Sequence, residues 1–239
     1  YSMGIREFCF IVGRGKRAIE DHFTPDGGFI QELRRRGKER AAELLMSFYE
    51  KVLSSRIMWV NQPEPRGFGD AVAHAEPFAG GEPFLVHAGD TLVTPSDCYA
   101  RLLEAFEEGG AAACLLVEEV EDPRMYGVVV PASELGSVFR VKRILEKPRE
   151  PPSRLAVVPV YVFEPVIFDA LRSVAPGPRG EVELTDAIQV LIDWGYEVRA
   201  VMLREGEYRI DVGTPETYWE ALRLSYGKPL SSLGDHSSL

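Results

Sequence analysis

FCFIVG, residues 8–13, is an unbroken apolar run of strand-forming residues that ends at a glycine. Continuous rather than alternating hydrophobicity is what a strand needs when both of its faces are covered, as in a parallel sheet with helices on either side. The residues that follow agree with that reading. KRAIEDHF and then FIQELRRRGKERAAELLMSFYEKVLSS read as helical, with Leu33, Leu44, Leu45 and Phe48 available for an apolar face. RIMWV (56–60) is the next strand, and a turn-rich loop, a helix from about Gly69 to Ala75 and the strand PFLVHAGD (83–90) complete the first half.

The second half repeats the alternation. SDCYARLLEAFEEGG is a helix capped by Ser96 or Asp97 and stopped at Gly109, and AACLLVEEV is a strand. YGVVVP and VFRVKRILEKP are expected to be antiparallel neighbours that extend the sheet, and LAVVPVYVFEP is a further strand. Helices are expected over Val166–Ser173 and Thr185–Trp194, short strands in VRAVMLRE and EYRIDVG, and a closing helix in PETYWEALRLSY with Pro215 in its first turn. The order implies an α/β fold with helices on both faces of a mixed sheet. It implies one domain over residues 1–227 and a loose polar tail, 228–239.

The totals limit what such a domain does. At 239 residues the chain can bury a sizeable core. Its 27 Lys plus Arg against 37 Asp plus Glu give a net charge of -10, which repels a nucleic-acid backbone and an anionic membrane surface. No run approaches the roughly 18 to 20 apolar residues that span a bilayer. Cys9, Cys98 and Cys114 are odd in number and widely spaced, without metal-ligand spacing, which fits reduced thiols in the cytoplasm.

In open α/β sheets ligands bind beyond the carboxyl ends of the strands, and four stretches end strands here: Gly13 to Lys16, Asn61 to Gly69, Gly89 to Thr91, and Asp211 to Gly213. VGRGKRA is not a Walker A loop, because only one residue separates its glycines and no Ser or Thr follows the lysine. In NQPEPRGFGD, the prolines and glycines make a stiff turn where backbone can approach a flat ligand, while Gln62 offers the acceptor and donors that read a pyrimidine edge. Asp90 and Asp211 each end a strand, and two such carboxylates could hold one Mg²⁺ whose other sites go to water and phosphate. ILEKP supplies Glu146 for sugar hydroxyls and Lys147 for a phosphate. Adjacent strand residues face opposite ways, so the two reach one site only if Pro148 ends the strand there.

Taken in order, FIVGRGKRAIEDHF, Gln62 through Ala71, EPFLVHAGD, YGVV (126–129), ILEKP, PSRLAVVPVYVF, GEVELTDAIQVL and YRIDVG resemble the sugar-phosphate nucleotidyltransferases, and within them the branch that couples UTP to glucose 1-phosphate. The resemblance implies a Rossmann-like three-layer α/β/α sandwich with a mixed, mostly parallel sheet. It implies that Gln62 and Gly67 hold the uracil, that Asp90 and Asp211 bind Mg²⁺, and that Gly127 and Glu146 hold the sugar. Lys147 would neutralise the sugar phosphate, so that Lys147 and Asp90 carry the catalysis, and a homodimer or homotetramer is expected.

The resemblance has departures. The family's Gly-rich loop after its first strand, which contacts the triphosphate, has no counterpart, so a further strand, loop and helix of about 30 to 50 residues is expected upstream of Tyr1. Arg154 and Pro159 stand where the family carries Asn and Gly, altering the wall on the sugar side. A thymidylyltransferase remains open, since thymine and uracil present similar edges to Gln62. So does a non-catalytic nucleotide-sugar-binding subunit that lacks the triphosphate loop.

Overall fold

The computed structural model describes residues 1–132, 136–177 and 179–226. The tail expected at 228–239 lies outside the described residues. The chain divides into two compact units, Tyr1–Pro65 and Arg66–Leu239.

The first unit contains β1 (Glu7–Val12), α1 (Arg17–His22), α2 (Gly27–Arg35), α3 (Glu39–Leu53) and β2 (Arg56–Asn61). β1 and β2 pair in parallel from Glu7/Arg56 to Val12/Asn61, the direction that a helical crossover imposes. The long helical stretch is two helices, because Gly37 turns into the left-handed region (φ 68°) and ends the first. Asp26 caps α2 by accepting the Phe29 N–H at 2.9 Å. An aromatic cluster ties helices to strands: Phe10 stacks on Trp59 at 4.6 Å between centroids, with Phe23 4.7 Å from Phe10 and Phe48 5.5 Å from Phe23. Phe8 to Val12 are half-buried rather than covered on both faces, because a two-stranded sheet leaves much of each strand open.

The second unit contains α4 (Phe68–Ala73), α5 (Glu76–Ala79), β3 (Phe84–His87), β4 (Thr91–Thr94), α6 (Asp97–Glu107) and β5 (Ala113–Glu119). A 3₁₀ turn at Pro123–Met125 precedes β6 (Gly127–Pro131), β7 (Val138–Glu146) and β8 (Leu155–Phe163). Then come α7 (Ile167–Ser173), α8 (Leu184–Asp193), β9 (Val198–Met202), β10 (Tyr208–Asp211) and α9 (Pro215–Tyr226). Six strands run in the order β3-β8-β5-β9-β7-β6, and β6 meets β8 again through Val128 and Ala156, so the sheet curls back on itself. β4 and β10 form a separate antiparallel ribbon.

The sheet is mixed, but the expectation of a mostly parallel one fails among the described residues. β5 and β9 run parallel, whereas β3/β8, β5/β8, β6/β7, β6/β8 and β7/β9 are antiparallel. A continuous apolar run reports that both faces are covered and says nothing of direction. β8 illustrates this. Val157, Tyr161 and Phe163 face one core with α4, α7 and α8, while Val158, Val160 and Val162 face a second core with α6. β5 divides in the same way, Ala113, Leu115 and Val117 to the first core and Cys114 and Leu116 to the second. Pro159 sits where the β5/β8 register slips, a position that tolerates a residue with no N–H, and its carbonyl accepts the Ala88 N–H at 3.0 Å. No helix among the described residues is long and apolar enough to cross a membrane.

Candidate active site

One end of the antiparallel β4/β10 ribbon, where β4 begins and β10 finishes, brings two predicted residues together. Asp211 pairs with Thr91 across the ribbon, and the Val212 N–H donates to the Asp90 carbonyl at 2.9 Å. Both aspartates therefore stand at one end of the ribbon, and the Asp211 carboxylate is oriented by accepting the Gly213 N–H at 2.9 Å. Two hard carboxylate donors suit a divalent cation such as Mg²⁺, which takes one or two protein ligands and leaves room for phosphate. Among the described residues no group of three or more metal-ligating side chains gathers. Behind Asp90, the His87 imidazole accepts the Tyr99 hydroxyl hydrogen at Nε2 (2.9 Å) and donates from Nδ1 to the Ala88 carbonyl (2.7 Å). Desolvation holds this imidazole below its ordinary range, with the Ala88 bond and the Asp90 charge opposing it.

At the end of β7 the chain resolves the alternation conflict. Lys147 has φ 40°, the one positive-φ non-glycine among the described residues. Its N–H still donates to the Tyr126 carbonyl at 3.0 Å, but the left-handed turn swings its side chain to the side of Glu146. The Lys147 ammonium lies 3.2 Å from Glu146 Oε1, and Glu146 Oε2 accepts the Thr185 hydroxyl at 2.9 Å. Such a conformation costs about 1–3 kcal/mol and persists where surroundings over-determine it. Glu146 is thus held from both sides while the lysine side chain stays 40% exposed.

The glycines have packing reasons of their own. Gly67 (φ 102°) lies so close to Val182 that a Cβ would meet its carbonyl oxygen at 2.7 Å, and Gly69 is equally tight at 2.8 Å. Two hydrogen bonds strap this loop to the segment before α8: Val182 N–H to the Arg66 carbonyl (2.7 Å) and Gly69 N–H to the Val182 carbonyl (2.9 Å). Gly127 is buried and pairs with Glu146, and a Cβ there would meet Thr185 Cγ2 at 2.8 Å. In the first unit, Gln62 follows β2 and its N–H continues the ladder to the Val12 carbonyl at 2.8 Å, beside Gly13.

A cavity of about 490 Å³ opens on the Glu146–Lys147 turn, and Arg179, Glu181, Glu183 and Asp186 line its other side. These four were not singled out from the sequence, though GEVELTD carried the signal for the three carboxylates, Glu181 and Glu183 at alternate positions ahead of α8 and Asp186 in its first turn. Arg179 is held by Glu181 (3.1 Å) and Glu183 (2.8 Å). Burial, then the Glu183 charge, raises the Asp186 carboxyl above its usual range. The cavity thus offers several carboxylate acceptors suited to hydroxyls, and one ammonium at its mouth suited to a phosphate.

Comparison with known proteins identifies the family. The nucleotidyl transferase family profile matches residues 35–225. The chain is 36% identical over 190 residues to a UTP--glucose-1-phosphate uridylyltransferase of Staphylococcus epidermidis, covering 78% of this chain and 65% of that protein. It is also 36% identical over 220 residues to one of Streptococcus pneumoniae, covering 88% and 71%. A crystal structure of UDP-glucose pyrophosphorylase complexed with UDP-glucose superposes with a TM-score of 0.82 at 28% identity, covering 95% of this chain and 83% of that one. On the family match and on the identity to these relatives, the chain belongs to the nucleotidyl transferase family.

Proposed function

We propose that this protein forms UDP-glucose and pyrophosphate from UTP and glucose 1-phosphate. The observation that carries the reading is the convergence of the Glu146 carboxylate and the Lys147 ammonium on one cavity, in a chain 36% identical to named uridylyltransferases. A phosphate oxygen of glucose 1-phosphate attacks the α-phosphorus of UTP. The new P–O bond forms as the bond to the β-phosphate bridging oxygen breaks, and pyrophosphate leaves in line. No covalent protein nucleophile is needed, so the protein's contribution is positioning and charge neutralisation. Glu146 accepts hydrogen bonds from the hexose hydroxyls, Gly127 meets the sugar through its backbone, and Lys147 neutralises the sugar phosphate. Gln62 reads the uracil edge and Gly67 meets the base through its backbone. Asp90 and Asp211 would hold Mg²⁺, which supplies charge neutralisation on the phosphates.

The family's three-layer sandwich is the architecture we assign, supported by the helices on opposite faces of β5 and β8. We assign a single cytoplasmic domain over 1–227 that works as a homodimer or homotetramer. The decisive experiment is pyrophosphate release from UTP and glucose 1-phosphate by Asp90→Asn and Asp211→Asn. Each is expected to lower kcat by about 100-fold or more with an unchanged melting curve. Near-wild-type turnover in both would remove the metal assignment. Running dTTP beside UTP tests the base preference, a higher kcat/KM for dTTP favouring the thymidylyltransferase.

A further inference from the structure

Arg209 lies outside every assignment made so far. It lies within β10, its side chain only 9% exposed, and it joins three neighbours that are distant in sequence. One guanidinium nitrogen is 2.8 Å from the Glu118 carboxylate on β5, and another donates to the Val157 carbonyl on β8 at 3.4 Å. Its plane covers the Tyr126 ring, with Cζ 4.2 Å from the ring centroid. Burial pushes the Glu118 carboxyl up and the Arg209 charge draws it back down, so the ion pair compensates a carboxylate that would otherwise be costly to bury.

Two connections lead from this residue to the site. Tyr126, under the guanidinium, is the residue whose carbonyl accepts the Lys147 N–H and so anchors the left-handed turn. Asp211 is two residues further along β10, and side chains two apart in a strand project from the same face. Both Arg209 and Glu146 also act electrostatically on the buried Tyr161 phenol, Glu146 raising and Arg209 lowering its proton affinity, so the two charges share one neighbourhood.

We propose that Arg209 is a positioning residue: anchored to Glu118 and Val157 and lying over the Tyr126 ring, it ties Tyr126 to β10 and so sets the Glu146–Lys147 turn in register with the strand that carries Asp211. Its catalytic meaning rests on the uridylyltransferase reading; its structural meaning does not. A guanidinium is suited to the task because one planar group stacks on a ring and donates in two directions at once, which an ammonium cannot do.

The test uses Arg209→Met, which keeps the length of the side chain, and Arg209→Lys, which keeps the charge. Tyr126→Leu removes the ring while leaving the Arg209–Glu118 pair, and serves if Arg209→Met does not fold. Amide exchange at Lys147 is expected to speed up about tenfold in Arg209→Met and in Tyr126→Leu, with the Ile144 amide, held by Gln189 at 2.9 Å, unchanged. By calorimetry in a chelator, UDP-glucose affinity should fall about tenfold and UTP affinity less than about twofold, with Arg209→Lys recovering only part of the loss. Lys147 exchange within about twofold of wild type in both Arg209→Met and Tyr126→Leu overturns the proposal, whatever happens to melting temperature or activity. If the wild-type protein binds no UDP-glucose, the uridylyltransferase reading fails, and the exchange rates still decide the positioning role.

Discussion

Lys147, to which the proposed reaction assigns the sugar phosphate, sits on an unfavourable backbone, because an L-residue at φ 40° crowds its own Cβ. Removing the amine and removing the strain are therefore separable. Lys147→Gly and Lys147→Ala should both lose the phosphate contact, with kcat/KM for glucose 1-phosphate down about 100-fold. The glycine variant should be more stable than the alanine variant by about 1 kcal/mol, read as a difference in urea midpoints. An alanine variant of equal or greater stability would mean that the turn carries no strain. The pairing of Glu146 with Lys147 was legible only in part. ILEKP named both residues, but strand alternation set them on opposite sides, and only the left-handed turn brings them together.

At the scale of elements, the close approach of β6 to α8 joins packing to the site. A Cβ on Gly127 would sit 2.8 Å from Thr185 Cγ2 and 3.1 Å from Val157 Cγ2, both in buried, well-packed surroundings. Gly127→Ala is expected to destabilise the protein by about 1–3 kcal/mol in chemical unfolding. It should also raise KM for glucose 1-phosphate, because Thr185 is the donor that orients Glu146. An unchanged unfolding midpoint would mean that β6 shifts freely. Most strands and helices were legible from their periodicity, and the boundaries moved by a few residues. β4 was not, because TLVT is only four residues between turn formers and gains its identity from pairing with β10. The loop at Gly67 and Gly69 was legible as a place of close backbone approach. What it approaches from one side is the Val182 backbone, which lies more than a hundred positions away in sequence.

At the scale of the whole molecule, Cys98 and Cys114 are buried in the cores of the second unit, and burial pushes their thiols up from 9.0 to about 11 and about 12. Below pH 9 both stay protonated whether the chain is folded or not. Above pH 9 the unfolded thiols ionise first, so stability should fall as pH rises from 9 towards 11–12. At pH 8 a thiol reagent should leave both unmodified in the native protein and label all three cysteines after denaturation; rapid native labelling of either would contradict the burial. By itself the sequence determined the α/β class, the order of nearly every element and the family, and it named the residues to which the proposal assigns its chemistry. These follow from local periodicity, composition and short motifs. Strand direction, the curled sheet and the union of Asp90 with Asp211 were decided by tertiary structure alone. So were the turn that aims Lys147 at Glu146 and the tie from Arg209 to Tyr126. Each of these arises from contacts between strands distant in sequence, and an apolar run or a lone aspartate looks the same whichever neighbour it meets.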